Sequence, residues 1–176
     1  MPERERALRE HIRAIEREAR ELNPYEAREW LIGKIGAKIG AGENREHEEF
    51  EGNLRAATVA GLIGAGSLAA AQGLNNAGHT TAASGLLKLG ISAMVPYAYF
   101  GWKALRTAND LRKRAYRRAY EQMKGDVQNM EDAELRRLAL HAAAARRSTA
   151  DPELEAWATA IIHAAVEEML RRRNRG

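Results

Sequence analysis

One group of side chains in this sequence is spaced so that it could hold a metal ion. Glu43, His47 and Glu51 recur every four residues, and residues four apart share a face of a helix. Two carboxylates and one imidazole are acceptable ligands for zinc or iron. The pattern is weak, because the chain has neither the Glu-x-x-His pairs of di-iron bundles nor an HExxH motif. We therefore predict no metal, no cofactor and no enzymatic activity.

A second group is basic. Residues 111–120 read LRKRAYRRAY, and residues 103–118 contain seven basic residues against one acid. Such a segment is suited to anionic lipid headgroups. Two alternatives remain open: binding of nucleic acid phosphates, which we consider unlikely, and a solvated helix face. The candidate residues for lipid headgroup or anion binding are Lys103, Arg106, Arg112, Lys113, Arg114, Arg117 and Arg118; a nucleic-acid site would use Arg112, Lys113, Arg117 and Arg118.

The middle of the chain is almost uncharged. Residues 56–87 contain no Asp, Glu, Lys or Arg, and Lys88 is the only such residue between Ala56 and Trp102. A helix on the surface of a soluble protein needs polar groups on its wet side. We therefore expect this neutral core, residues 56–102, to be enclosed by lipid or by protein.

Helical periodicity and turn residues predict an all-α fold of about six helices. A long antiparallel hairpin, about residues 43–74 and 80–124, is expected between two amphipathic helical pairs, residues 1–42 and 131–176. Pro24, the Asn75–Gly78 turn and Asp151-Pro152 mark the main boundaries. His141 and His163 fall on the C-terminal pair, where we expect ordinary, partly buried residues.

The two neutral helices are each long enough to span a bilayer. Residues 56–74 and 86–105 supply 19 and 20 mostly apolar residues, close to the roughly 20 that a span requires. Small residues recur every four positions on the first helix and would pack against the second helix or another copy of the chain. This ladder consists of Ala57, Gly61, Ala65, Ala69 and Gly73.

The flanks of the neutral core predict its orientation. Tyr97, Tyr99, Phe100 and Trp102 precede the basic segment, and aromatic residues followed by Lys and Arg mark the cytoplasmic edge of a span. Both termini are therefore predicted in the cytoplasm. Lys88 either snorkels to the outer surface, which we favour, or faces a pore or a partner carboxylate.

These features predict a membrane-embedded hairpin that acts as a structural or assembly subunit or as a pore component. Its expected partners are the lipid bilayer and further copies or other subunits. The first alternative is a soluble cytoplasmic bundle that buries the hairpin and binds partners or inserts when triggered. The regular Glu and Arg spacing of the outer helices would also suit a designed scaffold. The second alternative is a nucleic-acid-binding helical module.

Overall fold

The computed structural model describes residues 2–39 and 44–175, and within them it consists of six helices and no strand. The helices are α1 (Pro2–Glu18), α2 (Pro24–Ile39), α3 (Asn44–Asn76), α4 (Thr80–Asp126), α5 (Asp132–Ala145) and α6 (Pro152–Arg173). Short 3-10 turns, Ala19–Glu21 and Val127–Asn129, follow α1 and α4. The all-α prediction, with about six helices and a long helix that packs against its neighbours, is confirmed.

Local chemistry explains the helix boundaries. The Asp151 side chain accepts a hydrogen bond from the Glu153 backbone N–H at 2.9 Å, and Pro152 occupies the first turn of α6. Asn23 performs the same function for α2, since its side-chain oxygen accepts from the Tyr25 N–H at 3.0 Å. Between α3 and α4 the backbone turns at Gly78, whose φ of +84° suits a residue without a Cβ.

The chain divides into two compact units, which we call the bundle and the hairpin. The bundle comprises residues 1–42 and 110–176, and the hairpin comprises residues 43–109. The sequence division into 1–42, 43–124 and 131–176 therefore differs from the structural one, because the two outer pairs belong to one unit. That unit also includes the second part of α4.

The bundle has a core of large apolar side chains. In it α5 packs on α6 and on α2, and α1 packs on both α5 and α6. The largest fully buried side chains come from these helices and from α4, and they include Trp157, Leu31, Met123, Leu135 and Ile161. The bundle therefore encloses its apolar surface in the manner of a water-soluble domain.

The hairpin is held by small residues. Along α3 the buried positions alternate at spacings of four and three, as in a coiled-coil seam: Asn53, Ala57, Ala60, Gly64, Ser67 and Ala71. The buried positions of α4 in this unit are Ala83, Gly90, Ala104 and Ala108. Because these side chains are short, the two helix backbones approach closely.

Candidate functional site

The two helices of the hairpin approach closely at two glycines. A Cβ built on Gly90 would lie 2.9 Å from Leu68 Cγ and 3.2 Å from the Gly64 carbonyl oxygen. A Cβ built on Gly64 would lie 3.6 Å from the Ala93 Cβ. A side chain at position 90 would therefore force Leu68 to move and would press against the Gly64 carbonyl oxygen.

The ladder of five small residues does not coincide with this seam. Ala57 is buried, and a Cβ on Gly61 would lie 3.0 Å from the Tyr97 ring. Ala65, Ala69 and Gly73 are exposed. The reason is geometric, because each step of four residues turns about 40° beyond a full turn, so that a strict spacing of four drifts around the helix. Packing of the ladder against α4 is therefore limited to its first two members.

The outward faces of the hairpin carry large apolar side chains that are exposed. Leu62 and Val95 are each 70 % exposed and Ile91 is 58 % exposed. Others of the same kind are Val59, Ile63, Leu87, Leu89 and Leu105. This distribution is the reverse of that in a water-soluble helix pair, and contiguous exposed apolar surface marks a site of contact with lipid or protein.

One helix among the described residues is long and apolar enough to cross a membrane by length and composition. It is the Glu48–Asn76 part of α3, and only 22 % of its most apolar window is buried. The second expected span, residues 86–105 of α4, does not meet the same criterion. Lys88, Pro96 and the ring hydroxyls of Tyr97 and Tyr99 lower its hydropathy, so α3 is the better candidate of the two expected spans.

Lys88 lies exposed on α4. Its own stretch of sequence offers no carboxylate, because residues 56–102 contain no Asp or Glu. An ammonium at this position is directed away from the seam, which is the placement that snorkelling requires.

The end of the neutral core combines aromatic and basic groups. Tyr97, Tyr99 and Trp102 are exposed, and the Arg106 guanidinium lies 5.6 Å from the centre of the Trp102 ring. Lys103 Nζ pairs with Glu49 Oε1 at 3.2 Å. The first two basic residues of the candidate set are thus bound to groups of the hairpin itself.

The remaining basic residues of the set belong to the bundle. Arg112 Nη2 pairs with Glu155 Oε2 of α6 at 2.7 Å. Arg114 also has an interaction partner. Arg118 is half-buried and lies outside the groove that α4 and α6 form here. This open groove, of about 440 Å³, is lined by Arg112, Lys113, Tyr116, Arg117, Glu155, Ala156 and Thr159.

Two tyrosines of α4 connect to polar residues of α6. The Tyr116 hydroxyl lies 2.7 Å from His163 Nδ1, and the Tyr120 hydroxyl donates to Glu167 Oε2 at 2.5 Å. Both tyrosines belong to the basic segment 111–120, for which nucleic acid binding is one interpretation. Their hydroxyls are instead part of the packing between α4 and α6, which weakens that interpretation.

Burial shifts the pKa values of His163 and Tyr116, which contact each other. Desolvation, supported by the nearby Arg146, lowers the pKa of His163, although Glu167 and Glu16 oppose the shift. Desolvation also raises the pKa of Tyr116, with a further contribution from Glu167. A neutral imidazole bonded to a neutral phenol is therefore the form that the bundle stabilises. No local spacing indicates the pair, because its members lie 47 residues apart.

The suggested metal ligands cannot be placed. Glu43 and the side chain of His47 lie outside the described residues, whereas Glu51 is exposed on α3. Within the described part of the chain, no three His, Cys, Asp or Glu residues are grouped so as to hold a metal ion.

Comparison with known proteins gives no relative: no protein family, curated protein or solved structure matches this chain.

Proposed function

We propose that the protein is a membrane-embedded hairpin subunit with a structural or assembly role, or a component of a pore, and that the bundle stands on the cytoplasmic side. The observation that carries the proposal is the exposure of Leu62, Ile91 and Val95 on a hairpin whose own seam consists of alanine, glycine, serine and one asparagine. Lipid chains solvate such outward side chains, and close backbone packing then holds the helices together.

The energetics support this assignment. Each large aliphatic side chain gains about 1.5 to 3 kcal/mol when it leaves water for an apolar surrounding. The hairpin alone presents more than five such side chains at its surface. A soluble chain that buries the hairpin, the first alternative, would have to cover all of them with protein.

The aromatic and basic residues at the end of the neutral core support an orientation with both termini in the cytoplasm. Trp102 and Arg106, which lie against each other, suit the boundary between hydrocarbon and headgroups. Lys88 lies eight residues after the start of α4 at Thr80, about 12 Å along the helix axis, and its side chain can extend towards the outer headgroups. In this arrangement α4 crosses the bilayer paired with α3, the better span.

The partners proposed for this function are the lipid bilayer and further subunits. Ala65, Ala69 and Gly73 form an exposed small-residue surface on α3, which a helix of a second copy could approach closely. A nucleic-acid-binding role has less support, because Arg112 is paired with Glu155 and Tyr116 with His163.

Membrane fractionation tests the proposal. The full chain, expressed with a small epitope tag, should sediment with membranes and resist extraction by alkaline carbonate, which removes peripheral proteins. Recovery in the high-speed supernatant as a monodisperse species without detergent would contradict the proposal and support the soluble alternative.

A matched pair of variants distinguishes insertion from adhesion through the basic segment. Leu62→Arg with Val95→Arg places two charges on the outward faces and should move the chain into the supernatant, because a charge at mid-span costs about 2.5 to 3.5 kcal/mol. Lys113→Gln with Arg117→Gln should leave carbonate resistance unchanged. If only Lys113→Gln with Arg117→Gln moves the chain into the supernatant, the basic residues hold the protein on the membrane and the hairpin does not.

A further inference from the structure

The groove between α4 and α6 contains two basic side chains that no acidic group neutralises. Lys113 and Arg117 lie four residues apart and both line the groove. In the part of the chain that the structure describes, neither has an ion-pair or hydrogen-bond partner. Long cations that flank one concave surface without a carboxylate are arranged to receive an anion.

The other polar groups of the groove are already engaged within the protein. Glu155, its only acid, is compensated by Arg112 at 2.7 Å. The Thr159 hydroxyl donates to the Glu155 carbonyl oxygen at 2.8 Å, and the Tyr116 hydroxyl bonds to His163. With three cations and one anion lining it, the groove carries a net charge of +2.

The groove of about 440 Å³ lies within the range of about 300 to 1,000 Å³ usual for small-molecule sites.

We propose that this groove binds the phosphate group of a small, soluble phosphorylated molecule, held between Lys113 and Arg117. A phosphate fits because it carries two charges and several acceptor oxygens, and the two cations supply matching charge. Tyr116 and Ala156 would contact the organic part of the ligand.

The choice of a soluble ligand over a lipid headgroup rests on the proposed function. Lys113 follows Trp102 by eleven residues of α4, about 16 Å of helix. The polar layer of one leaflet is only about 5 to 7 Å deep. With Trp102 at the membrane boundary, Lys113 follows it along α4 by more than the depth of the headgroup layer, so we expect a soluble ligand.

Titration calorimetry with inorganic pyrophosphate tests the site on the full chain in a neutral detergent. Wild-type protein should bind the probe saturably, and Lys113→Gln with Arg117→Gln should weaken binding at least about tenfold, as expected for the loss of charge-assisted contacts. The matched control is Arg118→Gln with Lys124→Gln, which removes the same charge from α4 outside the groove. It should change the affinity less than about twofold.

Three results would overturn the proposal. The first is the absence of saturable binding to the wild type. The second is an equal loss in both double variants, which would indicate only general attraction to a basic helix. The third is binding of phosphatidylglycerol bicelles, but not pyrophosphate, that depends on Lys113 and Arg117, which would assign the groove to lipid. Membrane fractionation and pyrophosphate binding are independent measurements. Failure to bind pyrophosphate would therefore contradict the groove proposal and leave the membrane proposal standing.

Discussion

The bundle and the hairpin distribute their side chains in opposite ways. In the bundle, Trp157 and Ile161 are completely buried, and charged residues cover the surface. In the hairpin the buried positions are Ala, Gly, Ser and Asn, whereas Leu62 and Val95 are exposed. Exclusion of water from large apolar side chains stabilises the bundle. The seam of the hairpin consists of short side chains instead, and we propose that close backbone packing in lipid stabilises it.

This difference supports the proposal that the chain is adapted to two surroundings, lipid for the hairpin and water for the bundle. A single helix, α4, contributes to both units, with exposed apolar residues up to Leu105 and most of its basic residues from Arg112 onward. Exposed residues such as Leu62 and Ile91 are expected where a helix meets lipid or another protein, and a charged surface is expected where helices meet water. Variants in each unit test this contrast.

The largest expected effect separates two tryptophans. Trp157→Ala empties the centre of the bundle core and should lower the free energy of unfolding by about 3 to 5 kcal/mol. Trp102→Ala removes a side chain that is 58 % exposed and should cost far less in detergent. Urea unfolding followed by circular dichroism measures both. Equal losses would show that the two units share one core, against the contrast drawn here.

The second variant breaks the hairpin seam. Gly90→Leu forces a side chain against Leu68 and the Gly64 carbonyl and should destabilise the pairing by about 1 to 3 kcal/mol, the usual cost of overpacking. Gly85→Leu is the control, because a Cβ there has no neighbour within 4 Å.

Disulfide formation reports the pairing directly, since the chain has no cysteine of its own. Gly64→Cys with Ala93→Cys should oxidise readily, because the Cβ separation of 3.6 Å matches the geometry of a disulfide. Adding Gly90→Leu should slow this oxidation, and adding Gly85→Leu should not. Rapid oxidation in both would place the seam elsewhere.

The third variant tests a charged contact at the end of the bundle. Arg171 Nε and Nη2 each donate to Glu168 at 2.7 Å, and Arg172 Nε donates at 2.8 Å. These bonds, those of Arg171 first, hold the pKa of Glu168 below its usual 4.5. Glu168→Gln should cost about 1 to 2 kcal/mol at neutral pH.

The sign of the pH dependence follows from the lowered pKa. Because the folded bundle binds a proton at Glu168 less readily than the unfolded chain, this contribution is complete above pH 4.5 and is lost as the pH falls through the folded value. Urea unfolding between pH 7 and pH 3 should therefore show that the free energy of unfolding falls more steeply with decreasing pH in the wild type than in Glu168→Gln. Glu29 is exposed, and Glu29→Gln is the control, which should keep the wild-type dependence of unfolding free energy on pH. If both variants flatten this dependence equally, the contact between Glu168 and the arginines is not its source.

The smallest effect concerns His163. Its pKa is lowered by burial and by Arg146, so the unfolded chain takes up a proton first as the pH falls below 6.5. Stability attributable to this residue is therefore complete above that pH and is lost below it. His163→Gln should flatten the stability profile between pH 7 and pH 5, at the cost of about 1 kcal/mol from the bond to Tyr116. His141→Gln is the control, and a flattened profile there would assign the slope to another group.

Local sequence patterns predicted the fold better than they predicted the contacts. Pro24, the Asn75–Gly78 turn and Asp151-Pro152 act within a few residues, and the helix ends lie close to the places they indicate. The small-residue ladder from Ala57 to Gly73 has a strict spacing of four residues. This spacing drifts around the helix, so most of the ladder lies off the seam.

The polar contacts between α4 and α6 could not be predicted, because they depend on tertiary packing. Tyr116 meets His163 only after both helices join the bundle. The basic residues of the candidate set illustrate the same point: Arg112 is paired with Glu155, whereas Lys113, its neighbour in sequence, lines the groove without a partner. Composition identified the segment, and only packing distinguishes its members.

Accessibility of spin labels is the most direct test of the claim that the outer faces of the hairpin meet lipid. Single cysteines at Leu62, Val95 and Glu121, an exposed position of the bundle, would carry nitroxides in protein reconstituted into liposomes. We predict that the labels at positions 62 and 95 collide often with oxygen and rarely with a water-soluble nickel chelate, and that the label at position 121 collides often with the nickel chelate. Frequent collisions with the nickel chelate at positions 62 and 95 would place those faces in water and contradict the account.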